Sequence, residues 1–185
     1  MIPMDDDRLV CFHEAGHAVV CHTLGGKVNR LELNATGGTM IFSMNGSWDD
    51  FGTILAAGVC AEFLVTQWND FGARKEKFIH RSSGRGDLAA FREKVKTGLT
   101  WEGAFDRALG ILGKRLTRLF VLADRLEKFG YIEADEVAAV MPICDAIGNR
   151  ALTGGRNGSR AGVIRQPGRR WSALGLGVNF QSIKI

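Results

Sequence analysis

Polar and apolar positions fall into stretches of different period, and these predict the order of elements. From about Asp5 to Leu24 the chain reads as a largely apolar helix with acids at its start, where a helix N-terminus favours negative charge. Gly25-Gly26 stops it. "KVNRLELNA" and "GTMIFSM" follow as two short strand-like runs around Thr36-Gly37-Gly38, a hairpin or two neighbouring strands of a small sheet. "NGSWDDFG" reads as a turn-rich connection. "TILAAGVCAEFLVTQW" is a second helix, with one stripe at Ile54, Gly58, Ala61 and Val65 and another at Leu55, Val59 and Glu62.

The polar, glycine-punctuated "GARKEKFIHRSSGRG" at 72–86 reads as a loop, and a third helix begins at Asp87. Phe105, Leu109, Leu112, Leu116, Leu119, Ala123 and Leu126 alternate four- and three-residue steps, which predicts one long amphipathic helix. "FGYIEADEVAAVMPIC" gives a turn and a short last helix. Beyond about Arg150 the sequence is rich in Gly and Arg without period. Residues 1–150 are therefore read as one folded domain and 151–185 as a disordered basic tail. The fold class expected is α+β and mainly helical, with the first helix packed on a small β-sheet beside a helical bundle.

Bulk properties narrow the classes. A chain of 185 residues suits one compact domain with a tail, and 45% hydrophobic with 24% charged residues is ordinary for a globular protein. No apolar run reaches the roughly 18 residues of a membrane span. The acidic N-terminus lacks the basic-then-apolar order of a secretory signal, so a cytoplasmic location is expected. Cys11, Cys21, Cys60 and Cys144 show no short paired spacing and read as free core thiols of a reducing compartment. The formal charge of +4 is uneven: five Arg and Lys184 without an acid put +6 beyond residue 150, leaving −2 on residues 1–150. Such a tail can touch phosphates nonspecifically, but a solvated tail is the better reading, and no nucleic-acid partner is expected.

The candidate chemistry lies in "CFHEAGHAVVCH", residues 11–22. On a helix His13 and His17, four apart, stand one turn above each other on one face. Two imidazoles so placed can share a tetrahedral Zn²⁺ at about 2.0–2.1 Å from each nitrogen. Glu14 is rotated by about 100° from His13, outside the ligand set but beside a reacting water. This is the His-Glu-x-x-His pattern of zinc peptidases, in which the glutamate takes a proton from water and passes it to the leaving amine. The small residues Ala15, Gly16 and Ala18 make a tightly packable helix, in which unpartnered imidazoles and a carboxylate would be costly. Val20 and Thr23 stand where the metzincin extension needs Gly and His, which excludes that class. Cys21 and His22 follow too closely to complete the site, and His80 sits in the polar loop. Glu62 and Asp87 are the contenders for the third ligand.

Several blocks resemble the protease domain of the FtsH family of zinc metallopeptidases. "HEAGHAVV" is similar to its first block, "GTMIF" to the strand after the active helix, and "GVCAEFLV" to its Gly-x-x-Ala-Glu-x-Leu helix. "SGRGDLAAF" resembles the Gly-rich segment ending in Asp-Leu, and residues 107–141 resemble the closing helical region. The similarity spans about residues 8–141. It implies His13, His17 and Asp87 as zinc ligands and Glu14 as general base, with Glu62 supporting the site or the core. It also implies a polypeptide substrate, and an extended one would add as a strand beside the "TMIFS" edge, held by main-chain hydrogen bonds. The chain has no Gly-x-x-x-x-Gly-Lys-Ser/Thr, so ATP-driven unfolding is not expected of it. Substrates would be loose segments, or would need a homo-oligomer or a separate ATPase partner. Tyr131, the single tyrosine, reads as a packing residue, and His80 as a candidate oxyanion donor. The competing expectation is a non-catalytic metal-bound adaptor or oligomerisation module.

Overall fold

A computed structural model describes residues 6–35, 37–66, 84–142 and 178–184. Helix α1 (Asp6–Thr23) opens the chain. Gly25 takes the left-handed φ of +85°, which lets the Gly26 N–H reach back to the Cys21 carbonyl at 2.9 Å and turns the chain into the sheet. Strands β1 (Lys27–Asn34) and β2 (Gly37–Gly46) form an antiparallel hairpin, with Leu31 opposite Met40 and Asn34 opposite Gly37.

Helix α2 (Trp48–Thr66) starts five residues before the expected position, inside the stretch read as a connection. The cause is a reciprocal cap. Ser47 Oγ accepts from the Asp50 N–H at 3.1 Å, and Asp50 Oδ2 accepts from the Ser47 N–H at 3.1 Å. Every residue from Phe51 to Leu64 is buried, which explains why the sequence showed two apolar stripes: α2 is covered on more than one side. It crosses α1 closely. A Cβ placed on Gly16 would lie 2.6 Å from both the Ala57 carbonyl oxygen and the Ala61 Cβ. Gly16→Leu should therefore push the helices apart and cost about 3 kcal/mol or more in urea denaturation. Gly110→Ala, where nothing lies within 4 Å of an added Cβ, should instead stabilise by about 0.5–1 kcal/mol.

Helix α3 (Arg85–Lys94) begins two residues before Asp87. The single long helix expected from the periodicity is corrected to two, α4 (Trp101–Leu112) and α5 (Leu116–Phe129). Gly113 ends the first, and the Arg115 N–H bonds the Leu112 carbonyl at 2.8 Å in a tight turn. The break lets α4 pack on α2 while α5 packs on α1, and both keep the same apolar spacing. Gly130, at φ +76°, caps α5. A third strand absent from the expectation, β3 (Tyr131–Glu133), then pairs with β1, and helix α6 covers 134–142.

The tail also needs correction. Residues 151–177 lie outside the described ones, but Val178–Lys184 forms strand β4, antiparallel to β2 with Phe42 opposite Ile183 and Met44 opposite Phe180. An edge strand with free backbone groups is a template for such pairing. The described sheet has the order β3-β1-β2-β4, which makes the fold α+β and mainly helical with a small antiparallel sheet. No described helix is long and apolar enough to cross a membrane.

Candidate metal centre

The site is built where α1, α2 and α3 meet. Residues 11–21 of α1 are all buried, so His13, Glu14 and His17 have been taken out of water and need partners. The two rings stack edge to face, with centroids 4.7 Å apart, as the one-turn spacing requires. Asp87, in the first turn of α3, points its carboxylate at both of them. Oδ2 lies 3.0 Å from His13 Nε2 and 3.4 Å from His17 Nε2. Helix α3 is led by Gly84 without a side-chain cap, so Asp87 is engaged with the imidazoles and not with the helix terminus.

The opposite edges of the rings are also held. Glu62 Oε1 lies 2.7 Å from His13 Nδ1, and the Ile54 carbonyl accepts from His17 Nδ1 at 2.7 Å. Both contacts turn Nε2 of each ring toward Asp87. His13, His17 and Asp87 thus form a buried group able to hold a metal ion, with one donor atom from each within 4.8 Å of the others. The separations of 3.0 and 3.4 Å bracket the edge of about 3.3 Å that tetrahedral bonds of 2.0–2.1 Å would span. Charge points the same way. Three carboxylates, from Glu14, Glu62 and Asp87, share the buried region with two imidazoles, and a cation offsets the excess negative charge.

Glycines make the room. A Cβ on Gly58 would overlap the His13 ring, and one on Gly38 of β2 would overlap the Glu14 side chain. Glu14 Oε2 is buried and has no hydrogen-bond partner among the described residues. Burial pushes the Glu14 carboxyl pKa up, and the nearby imidazoles restrain the rise. For Asp87 burial would also raise the pKa, but His17 and His13 outweigh it and hold the group well below the usual range.

The remaining sequence candidates lie elsewhere. Cys21 is buried against Gly26, and desolvation pushes its thiol up to about 12, which disfavours the thiolate a metal requires. The His22 pKa is lowered by burial and by Arg118 and Arg115. Tyr131 is half-exposed on β3, with the Arg30 guanidinium 5.4 Å from its ring centroid. His80 lies outside the described residues. One contributor had no reading from sequence, the Ile54 carbonyl, which leaves no residue-type signal; Gly58 was read as a stripe position and as the first residue of the Gly-x-x-Ala-Glu-x-Leu block, not as the space for the His13 ring. No protein-family profile matches this chain, and no curated protein is found as a relative of it.

Proposed function

We propose that the chain is a zinc-dependent metalloendopeptidase acting on unfolded or loosely structured polypeptides. The observation that carries this reading is the convergence of His13 Nε2 and His17 Nε2 on one Asp87 oxygen, with the buried Glu14 carboxylate beside them on the same helix. Two imidazoles and a carboxylate suit zinc and leave a coordination position for a reactant. The resemblance of the sequence blocks to FtsH-type peptidases supports the same chemistry.

Bound there, zinc supplies Lewis-acid chemistry that polarises a scissile carbonyl and acidifies water. His13, His17 and Asp87 would hold the cation, while Glu62 and the Ile54 carbonyl fix the two rings. Glu14 accepts a proton from water as the water oxygen bonds to the carbonyl carbon. It then delivers that proton to the amide nitrogen as the C–N bond breaks. An extended peptide would pair on the side of β2 that β4 partly occupies, and Gly38, packed on Glu14, puts the uncovered end of that side next to the base.

Chelator-stripped protein should take up one zinc per chain and cleave unfolded casein only when reloaded. Stoichiometric zinc without cleavage of any peptide would identify the non-catalytic module instead, and refusal of every transition metal would remove the reading. Affinity should depend on pH. Burial lowers the His13 pKa, but hydrogen bonds to Asp87 and Glu62 outweigh it and raise the pKa well above its ordinary value. A cation must displace the proton of this ring wherever the metal-free ring is charged. Apparent zinc affinity should rise about tenfold per pH unit below the raised pKa and level off above it. Competition against a chelating dye reads this directly, and a flat profile would show that no proton is released.

A further inference from the structure

Strand β4 takes up part of the edge on which the proposed substrate would pair. It bonds β2 from Ile41 to Gly46, so most of the "TMIFS" edge expected to receive a peptide is filled by the chain itself. Among the described residues nothing pairs with Gly37–Met40 on that side, and this is the part of β2 that carries Gly38 against Glu14. The direction matters too. Gly46 stands opposite Val178 and Ile41 opposite Lys184, so β4 runs toward the Gly38 end of β2 as it proceeds. Its pairing is antiparallel and main-chain, the mode by which a sheet edge takes an extended peptide.

We infer that β4 is a resident competitor: the chain's own segment 178–184 occupies the Ile41–Gly46 part of the β2 edge and must leave it for a polypeptide to pair along the whole edge that ends beside Glu14. This rests on the peptidase reading of the site. A tethered segment acts at an effective concentration of about 1 mM, so with an intrinsic dissociation constant of about 0.1 mM it raises the apparent KM about tenfold. The competitor acts on binding and leaves the metal and the base untouched.

The test opens the strand in the full chain. Of two consecutive residues in an antiparallel strand, one donates to the neighbouring strand, so Asn179→Pro with Phe180→Pro deletes a rung whichever residue makes it. The expected result is an apparent KM for a casein-derived peptide about tenfold lower, with kcat within about twofold and zinc still at one per chain. The same two prolines in a Glu14→Gln background should tighten binding of a fluorescein-labelled casein peptide by a similar factor, a readout that needs no turnover. Unchanged KM and unchanged peptide affinity, with zinc retained, would overturn the inference and leave β4 a structural strand. If the prolines unfold the chain and zinc is lost, the synthetic peptide VNFQSIKI decides the matter on the unmodified protein. Displacement of the labelled peptide supports the competitor, and no displacement at millimolar concentration overturns it. If no form cleaves any peptide, the peptidase reading falls, while the displacement assay still decides whether β4 and a peptide share one edge.

Discussion

Glu14→Gln should keep zinc at one per chain and lower kcat for casein-peptide hydrolysis by about 10²–10⁴-fold, the usual share of a positioned general base. Glutamine has nearly the shape of glutamate, so it fits the space beside Gly38. Glu14 lies outside the donor group of His13, His17 and Asp87, so the cation keeps its three ligands. What the amide loses is the capacity to take a proton. Because Oε2 has no partner among the described residues, no hydrogen bond of that oxygen disappears with the charge. The stability effect has a definite sign. Burial raises the folded-state pKa of Glu14, so its ionised form is disfavoured in the metal-free fold, and that cost is felt as pH rises through the raised pKa. Metal-free Glu14→Gln should consequently melt no lower than the parent at neutral pH. Activity of the parent should fall once pH drops far enough to protonate Glu14 in the zinc-loaded protein, where the cation favours its ionised form. Cleavage by the glutamine variant within about tenfold of the parent would remove Glu14 from the proton path.

Residues whose partners are near in sequence were the legible ones. The stacking of His13 on His17 follows from helix pitch, and the end of α1 follows from Gly25-Gly26. The hairpin of β1 and β2 was readable from two apolar runs meeting at glycines. Elements set by long-range packing were not. The break between α4 and α5 left the apolar spacing intact, since both halves face inward, and only the need to cover both α1 and α2 separates them. Strand β3 has three residues and gains its identity from pairing with Arg30–Glu32 of β1. Strand β4 follows a Gly/Arg-rich stretch and becomes a strand because β2 offers it an edge. The "SWDD" cap was visible in principle as a Ser followed three residues later by an acid, but its turn-forming composition masked it. At the site, spacing alone left Glu62 and Asp87 equal. The fold separates them by placing one behind His13, at Nδ1, and the other in front of both rings, at Nε2.

That separation makes the second large effect. Asp87→Ala removes the donor that faces both Nε2 atoms and leaves two imidazoles to hold the cation. Structural zinc sites gain about 10–16 kcal/mol from their ligands together, so losing one of three should weaken binding by about 10³-fold or more. Such protein should emerge from dialysis without stoichiometric zinc. Glu62→Ala removes a carboxylate that orients His13 without being positioned to bind the metal, and partners of this kind are worth about 10–100-fold in affinity. Glu62→Ala should therefore stay loaded at micromolar free zinc, and Glu62→Gln, which keeps an acceptor oxygen for Nδ1–H, should lie between it and the parent. Isothermal titration of the three stripped proteins measures this ordering. If Glu62→Ala loses zinc as completely as Asp87→Ala, the carboxylate behind His13 does more than orient the ring, and the division of roles read from the geometry falls.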